Sequence, residues 1–377
     1  MIRFTLFVIL FISFACRKQV SSAEEKPIDP LARGINLSNW FNDYSDPAQY
    51  YQRFPAGTLQ FIKSKGFSYV RIPVGSTVLF SPTNPDQLAP AALAALDTVV
   101  RRATMAGLAV MLNLHPSANT TDSLLANDAA FVQKIARYWT AVAGYFSKYP
   151  ADKIFFEVYN EPHAAAAGLT TQSAAWWQPV QQQLISAIRS VAPAHTIIAG
   201  GEGWNSIEGL RQLVPGSDKN IIYNFHFYDP FLFTHQGASW AGWQPAIEAN
   251  QVPWPSSPAA VAPLINGANS ATLNSALQWY GDQRYTIDSL DAWVKRAYDW
   301  AQQKGVRIIV NEFGSYAPFA PRSSRLRWIQ DVRTVFEKYK IGWAMWECDE
   351  GFGWISYPGG NRNNPVADAA LLQALGL

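Results

Sequence analysis

The chain is poor in the residue types that would commit it to a metal, a nucleic acid or a disulfide framework. Its 377 residues include only 2 cysteines and 5 histidines, and charged residues make up 15% of the total. The 30 basic residues are scattered and nearly balanced by 28 acidic ones, so the long-range field that attracts nucleic acid or anionic lipid is missing. We therefore expect an uncharged ligand and no nucleic-acid partner.

Motifs for common cofactors are missing as well. No His-x-His or His-Glu-x-x-His spacing occurs, which argues against a metal-dependent hydrolase, an alternative that barrel folds would otherwise allow. No Gly-x-Gly-x-x-Gly or Gly-Lys-Ser segment occurs either, which argues against dinucleotide and phosphate-loop sites. The sequence predicts neither a metal nor an organic cofactor.

The N-terminus carries an apolar run of about a dozen residues, shorter than the roughly 20 that a membrane-spanning helix needs. Arg3 followed by this run predicts an export signal over residues 1–15. Ala15-Cys16 resembles a bacterial lipoprotein cleavage site, at which Cys16 would become lipidated, and cleavage after Ala23 is the alternative. Residues 16–30 would then form a polar tether.

These features predict an exported lipoprotein at the cell surface or in the periplasm, with free secretion as the alternative. The lipid on Cys16 would be the chain's contact with a membrane. Cys348 would remain as the one free thiol of the mature protein, so no intrachain disulfide is expected and stability must come from packing. We expect a monomer.

From residue 33 onward, short apolar segments alternate with longer segments of helical period, which predicts repeated strand–helix units. The predicted strands are residues 34–37, 69–73, 109–114, 154–159, 196–199, 221–226, 307–310 and 342–346. The predicted helices between and after them are residues 90–105, 128–147, 172–191, 286–303 and 323–338. Most strands are solid apolar runs, as expected for parallel strands covered on both faces. The pattern predicts an α/β fold, a (β/α)8 TIM barrel that forms a single domain over residues 31–377.

One connection breaks the alternation. Almost sixty residues rich in Trp, Pro, Ser and Gly form a long insertion after strand six, between His226 and Thr286. The cluster of Pro253, Pro255 and Pro258 predicts irregular structure there and not a helix. Because a loop of that length inside a compact domain is usually functional, we expect the insertion to contribute to the site.

Active sites of such barrels lie at the C-terminal ends of the strands, so the polar residues that end the apolar runs are the candidates. In chain order they are Asn36, Arg71, His115, Asn160-Glu161, the 202–204 region, His226 with Tyr228, Asn311-Glu312, and Trp346. Glu161 and Glu312 follow strands four and seven, on facing sides of the barrel. Two carboxylates across a cleft are what glycoside hydrolysis needs, and Arg71 could keep one of them ionised. The alternative is that each glutamate caps a helix or pairs with a surface cation.

The same residues resemble glycoside hydrolase family 5, a cellulase-like clan of retaining enzymes, from Arg33 to about Gly359. The matching segments are Val70-Arg71-Ile72-Pro73, Leu114-His115, Tyr159-Asn160-Glu161-Pro162, Asn224-Phe225-His226-Phe227-Tyr228, Asn311-Glu312-Phe313-Gly314 and Ala344-Met345-Trp346-Glu347. All eight functional positions of the family pattern are filled. A lone Asn-Glu-Pro would be weak, whereas the ordered set at barrel spacing is specific.

The resemblance implies roles for these residues. Glu312 would be the nucleophile and Glu161 the acid/base, with net retention of configuration at the sugar carbon. Asn160 would bond the sugar 2-hydroxyl, His226 would contact the acid/base, and Tyr228 the nucleophile. The substrate-binding set implied by the pattern and by two loop tryptophans is Arg71, His115, Asn160, His226, Tyr228, Trp346, Trp40 and Trp204, with Trp346 as the floor of the sugar site.

The expected substrate is a β-glucan, and the expected activity is that of an endo-β-1,4-glucanase. This expectation rests on the opening from Arg33 to Trp40 and on loop tryptophans suited to a long chain, with Trp240 and Trp243 as further sugar platforms. β-1,3-Glucanases, mannanases and xyloglucanases share the catalytic set and differ in the loops, so the insertion should determine specificity. A catalytically inactive surface glycan-binding protein is the alternative from another class, but such proteins usually lose a catalytic carboxylate.

Overall fold

The computed structural model describes residues 29–42, 47–79, 87–116, 121–165, 167–169, 174–267 and 270–377. The predicted export signal, Cys16 and nearly all of the predicted tether lie outside the described residues. No helix among the described residues is long and apolar enough to cross a lipid bilayer.

Eight parallel strands close into a barrel in the order of the chain. They are β1 (Arg33–Asn36), β2 (Tyr69–Gly75), β3 (Ala109–His115), β4 (Ile154–Glu157), β5 (Ile197–Gly200), β6 (Ile221–Phe227), β7 (Arg307–Phe313) and β8 (Gly342–Met345). Strand β1 pairs with both β2 and β8, which closes the sheet. The predicted (β/α)8 barrel is confirmed, with every strand where the apolar runs predicted one.

Helices surround the barrel and fill its connections. They are α1 (Pro47–Arg53), α2 (Ala56–Ser64), α3 (Ser76–Leu79), α4 (Pro90–Met105), α5 (Thr121–Asn127), α6 (Ala129–Phe146), α7 (Ala174–Val191), α8 (Glu202–Asn205), α9 (Ile207–Gln212), α10 (Phe231–Thr234), α11 (Gln244–Glu248), α12 (Pro258–Gly267), α13 (Ala271–Gln283), α14 (Ile287–Lys304), α15 (Arg322–Lys338) and α16 (Ala369–Ala374). A short antiparallel pair, β9 (Ile355–Ser356) and β10 (Val366–Ala367), follows β8 with a 3-10 turn at Pro358–Gly360 between its strands.

Capping residues set the ends of the long helices. The Asp128 carboxylate accepts the first free N–H groups of α6, and Thr286 forms a capping box with Ser289 at the start of α14. Gly305 ends α14 in the left-handed conformation, with φ 64°. Because these signals are local, the five predicted helices lie within two residues of the observed α4, α6, α7, α14 and α15.

The barrel has an apolar interior of its own, separate from the larger core between strands and helices. Its buried residues are Leu31, Tyr69, Ala109, Met111, Phe155, Ile198, Ile222, Ile309 and Ala344. The Tyr69 ring occupies this interior beside Gly34, its register partner on β1. A Cβ atom at Gly34 would lie 2.3 Å from the tyrosine ring, so residue 34 must lack a side chain. Tight packing below the strand ends makes them a rigid platform for the residues above.

The insertion after β6 is largely helical and not irregular. It carries α10, α11, α12 and α13 before the barrel helix α14 begins. Pro258 starts α12, so the prediction that the proline cluster excludes a helix was wrong there. Proline's fixed φ and missing N–H suit the first turn of a helix, where the N–H would have no partner in any case. Trp254 is buried and donates its indole N–H to Asp331 of α15 at 3.1 Å, which ties the insertion to the barrel.

Candidate active site

A cleft of about 1020 Å³ opens at the C-terminal ends of the strands. The predicted residues that line it are His115, Asn160, Glu161, Trp204, His226, Tyr228, Glu312 and Trp346. Arg71 is completely buried and reaches the site from β2 below. The residues selected as strand-end polar groups therefore converge on one place.

The Arg71 guanidinium is the centre of the hydrogen-bond network beneath the cleft. Its Nε and Nη2 donate to the two carboxylate oxygens of Glu157, at 2.5 and 2.8 Å. Its Nη1 donates to Glu312 Oε1 at 2.5 Å and to Asn36 Oδ1 at 2.9 Å, and Nη2 also donates to Asn160 Oδ1 at 2.8 Å. All five N–H groups of the guanidinium are thus satisfied, which fixes its orientation.

Glu157 is a member of this network that the sequence prediction missed. It is completely buried on β4, within the apolar run Ile154–Glu157. A charged residue inside a buried strand is expensive unless it is paired, and this was the signal available in the sequence. Burial lowers the pKa of Arg71, but the Glu157 and Glu312 carboxylates raise it more, so the guanidinium has a pKa above its ordinary value.

The position of Glu312 follows from an irregularity in β7. Phe225 of β6 pairs with Val310, whereas the next residue, His226, pairs with Glu312, so Asn311 is an extra residue on β7. Such a bulge re-aims the side chain that follows it. Asn311 is held in place because its carbonyl accepts the Asn36 amide at 2.9 Å.

Two donors converge on the Glu312 carboxylate. Arg71 donates to Oε1, and the Tyr228 hydroxyl donates to Oε2 at 3.1 Å. Burial raises the pKa of Glu312, His226 and Arg71 lower it, and the Glu161 and Glu157 carboxylates raise it, with a net increase above the ordinary value. Arg71 can only donate, so its contact with Oε1 favours the ionised carboxylate against the burial that disfavours it.

Glu161 is held by His226. The imidazole Nδ1 lies 2.7 Å from Glu161 Oε1 and 3.6 Å from Glu312 Oε2. Burial raises the pKa of Glu161, but the hydrogen bond and charge of His226, with His115 and Arg71, lower it below the ordinary value. Burial lowers the pKa of His226, and the two glutamates raise it more. The three groups therefore titrate together, and a proton on His226 can reach Glu161 along their hydrogen bond.

The spacing of the two carboxylates has a mechanistic meaning. One oxygen of each carboxylate and a ring nitrogen of His226 all lie within 4.8 Å of one another. Carboxyl groups are about 5–5.5 Å apart in retaining glycosidases and about 6.5–9.5 Å apart in inverting ones, which need room for a water. The spacing here fits direct attack by one carboxylate. Two carboxylates and an imidazole are also a donor set that suits a divalent metal, and no other such group occurs in the described ranges.

Trp346 and His115 both line the cleft, with ring centroids 6.3 Å apart and planes 16° apart. His115 Nδ1 lies 3.1 Å from Asn113 Oδ1. Burial, with the nearby positive charges of Arg71 and His226, lowers the pKa of His115 to about 3 although Glu161 raises it. The imidazole is therefore neutral and can exchange hydrogen bonds with an uncharged hydroxyl.

Glu347 is a further residue of the cleft that the sequence prediction did not select. It directly follows Trp346, lines the cleft, and accepts a hydrogen bond from the Ser38 hydroxyl. Burial raises the pKa of Glu347 to about 7 against the lowering effect of that hydrogen bond. In the sequence, the position of Glu347 directly after the strand-end residue Trp346 could have indicated that it faces the cleft.

Three tryptophans line the cleft from the connections that follow the strands. Trp204 is 52% exposed, Trp240 59% and Trp243 39%, the last two on the insertion. Trp204 stacks on His163 with ring centroids 3.5 Å apart, and Trp240 packs edge-on against Tyr316 at 4.8 Å. Exposed aromatic faces that are rigidly backed in this way suit the flat apolar faces of sugar rings.

Comparison with known proteins gives the family. The family model Cellulase (glycosyl hydrolase family 5) matches residues 22–351. The chain belongs to glycosyl hydrolase family 5. The resemblance recognised in the strand-end residues is thereby confirmed.

Named relatives of this family 5 chain include endoglucanases. Endoglucanase 3 of Fibrobacter succinogenes is 28% identical over 88% of this chain, which spans about half of that relative, 51%. Endoglucanase C of Acetivibrio thermocellus is 26% identical over 83% of this chain and 90% of its own length. A solved structure of a hyperthermophilic endo-beta-1,4-glucanase in complex with substrate superposes with a TM-score of 0.73 at 26% identity, covering 93% of this chain and 98% of the other.

Trp40 does not belong to the cleft, and its predicted substrate contact was wrong. Its ring is completely buried against Phe41 and Phe54, and its indole N–H donates to the Tyr50 carbonyl at 2.8 Å. The preceding residue, Asn39, lines the cleft instead. Asn39 and Trp40 are neighbours in the loop after β1 of this family 5 chain, yet only Asn39 faces the cleft. The residue types alone do not show which of the two does so.

We expect Trp40→Ala and Trp204→Ala to separate packing from binding. Loss of the buried Trp40 ring should lower the free energy of unfolding by about 3–5 kcal/mol, because a cavity replaces a large side chain. Loss of the half-exposed Trp204 ring should leave stability within about 0.5 kcal/mol of wild type and raise KM for glucan oligomers. Urea unfolding and steady-state kinetics measure the two effects. The opposite pattern would show that Trp40 and not Trp204 faces the sugar.

Proposed function

We propose that this chain is a retaining endo-β-1,4-glucanase in which Glu312 is the nucleophile and Glu161 the acid/base. The observation that carries this proposal is that one oxygen of each carboxylate lies within 4.8 Å of the other, after β4 and at the end of β7 in an open cleft. The endoglucanase names of the relatives and of the superposed structure support the same activity.

In the first step Glu312 attacks the anomeric carbon and forms a glycosyl-enzyme intermediate. Arg71 and Tyr228 direct the carboxylate by donating to its two oxygens. They also favour its ionised form in a buried setting, where an unpaired carboxylate would take up a proton. The nucleophile is therefore prepared before the substrate arrives.

The departing sugar needs a proton, and Glu161 supplies it. In the free site His226 keeps the proton within reach through its 2.7 Å contact with Glu161. A sugar in the cleft excludes water and disfavours the ion pair, which moves the shared proton toward Glu161. In the second step the ionised Glu161 takes a proton from water, which attacks the intermediate from the same face. Two inversions give net retention.

The sugar at the reaction centre would rest on Trp346, with Asn160 at its 2-hydroxyl. Because Asn160 Oδ1 accepts from Arg71 at 2.8 Å, its amide NH2 remains to donate into the cleft that Asn160 lines. A hydrogen bond to the 2-hydroxyl strengthens as positive charge develops at the neighbouring carbon. Asn160 thereby links substrate recognition to the network around Arg71.

The roles of the two glutamates can be separated by leaving group. Glu312→Ala should lose about 10⁴-fold or more of kcat on every substrate, since no intermediate can form. Glu161→Ala should lose about 10²–10⁴-fold on polymer, but should form the intermediate at nearly the wild-type rate from a 2,4-dinitrophenyl glycoside, whose leaving group needs no proton. Pre-steady-state release of dinitrophenol measures that step.

Proton NMR of the first product made by the wild-type protein provides the stereochemical control. Retained configuration is expected. An inverted product, or substantial turnover by Glu312→Ala, would contradict the assignment of the nucleophile.

The choice of β-1,4-glucan among related polymers is supported by the relatives' names and by three exposed cleft tryptophans that suit a long chain. The insertion supplies Trp240 and Trp243, so it is the part of the chain that would determine the preference. A glycan-binding protein without catalysis is disfavoured because both carboxylates and their partners are in place.

A panel of carboxymethylcellulose, laminarin, mannan and xyloglucan tests the substrate. We expect the highest kcat/KM on carboxymethylcellulose, with oligosaccharide products of several lengths as internal cleavage gives. Glu312→Ala is the matched control that assigns each activity to this site. Activity on another polymer without activity on carboxymethylcellulose would replace the proposed substrate, and binding without hydrolysis of any polymer would favour the inactive class.

We also propose that the chain is exported and held at a membrane by lipid on Cys16, and that it acts as a monomer. The support for export is the N-terminal apolar run followed by Ala15-Cys16. The two carboxylates and the groups that bond them come from one chain, so the proposed mechanism needs no second copy. A substrate too large to enter the cell agrees with a site outside the cytoplasm.

Expression of Cys16→Ala in a bacterial host tests the anchor. Wild type should fractionate with membranes, and the variant should move to the soluble or unprocessed fraction, with Cys348→Ala as the cysteine control. A wild-type protein that is soluble and begins at Glu24 would contradict lipidation and favour cleavage after Ala23.

A further inference from the structure

Two buried carboxylates beside the cleft have no part in the mechanism described above. Asp122, on α5 in the connection after β3, is 6% exposed, and Glu202, at the start of α8 after β5, is 1% exposed. These connections lie on either side of the one after β4, which carries Glu161. Buried carboxylates need partners, so their contacts indicate what they do.

Both carboxylates accept backbone N–H groups from the residues that follow Glu161. Asp122 Oδ2 accepts the N–H of His163 at 3.1 Å, and Glu202 Oε1 accepts the N–H of Ala164 at 2.6 Å. Asp122 is itself fixed because its Oδ1 accepts the Tyr159 hydroxyl at 2.6 Å. The segment is therefore bonded from both neighbouring connections by charge-assisted hydrogen bonds.

A further contact joins the segment after Glu161 to the connection that follows β5. The Pro162 carbonyl accepts the N–H groups of Gly203 and Trp204, at 2.8 and 3.3 Å. Residues 203–205 all have positive φ, which brings these N–H groups toward the segment after β4. Pro162, His163 and Ala164 thus each have a partner outside their own connection.

The backbone at Glu161 explains why the segment must be held. Glu161 has φ 51°, in the left-handed region that a residue with a long side chain rarely adopts. Such a conformation persists only when surrounding contacts impose it. With a negative φ at residue 161, the Glu161 side chain would point in a different direction and its carboxylate would lie away from His226.

We propose that Asp122 and Glu202 are positioning residues for the acid/base, which hold residues 162–164 from both sides and so keep the Glu161 carboxyl over the departing oxygen. The inference rests on the proposed role of Glu161. If the inference is correct, loss of either carboxylate slows protonation of the leaving group more than it slows attack by Glu312. Glu312 is held by Arg71 and Tyr228, which these substitutions leave in place.

Leaving-group dependence measures this difference. For Asp122→Ala and Glu202→Ala, we expect kcat/KM to fall about tenfold or more on phenyl β-cellobioside and less than about threefold on 2,4-dinitrophenyl β-cellobioside. Glu202→Gln should recover most of the loss, because its amide oxygen can still accept the Ala164 N–H. If Asp122→Ala does not fold, Asp122→Asn replaces it in the same measurement. Asparagine keeps one of the two acceptor oxygens and so removes one of the two hydrogen bonds.

Asp331→Ala is the matched control, because it removes a buried carboxylate that ties Trp254 to α15. It should change both cellobiosides by the same factor, with thermal melting recorded for every variant. Equal losses on the two substrates in the Asp122 and Glu202 variants would overturn the inference. A wild-type protein inactive on both cellobiosides and on carboxymethylcellulose would instead overturn the proposed function, on which the inference depends.

Discussion

The buried guanidinium of Arg71 is the interaction on which the rest of the site depends. It joins β2 to the ends of β1, β4 and β7 through five hydrogen bonds, one of them to Glu312. Removal of one partner from a buried charge network costs about 3–5 kcal/mol, because the remaining charges are left unpaired. The contacts that hold Glu312, the proposed nucleophile, are therefore the same contacts that hold the strand ends together, so a change to Arg71 alters stability and the proposed chemistry at once.

The barrel separates its apolar and polar layers along the strands. Below Arg71, side chains such as Tyr69 and Met111 fill the interior without charge, and above it the polar residues face the cleft. This apolar layer lowers the local dielectric constant beneath the network, which strengthens every charged contact there. Burial also raises the pKa of Glu312, an effect that Arg71 and His226 oppose, and it lowers the pKa of His115 to about 3, so the His115 imidazole is neutral.

The fold and the convergence of the strand-end polar residues on one cleft could be predicted from the sequence, because both follow from local and periodic signals. Strand runs, helix caps such as Asp128, and polar residues directly after each run are all legible within a few positions. Trp40 could not be placed, because the direction of a side chain in a loop depends on contacts with distant residues such as Phe54. Helix α12 was missed for a different reason, since Pro258 serves equally to end one segment and to begin another.

The contacts that hold the segment after Glu161 are the least predictable part, because they join backbone atoms to side chains from other connections. Glu161 stands in a motif, yet nothing in that motif states that it needs a left-handed φ or that Glu202, 41 positions later, accepts the N–H of Ala164. Such contacts depend on neighbouring strands being adjacent in the closed sheet, which the order of the barrel guarantees. A barrel can therefore change the tryptophans that line its cleft while Glu161 and Glu312 stay in place, provided that the two carboxylates that bond residues 163 and 164 are retained.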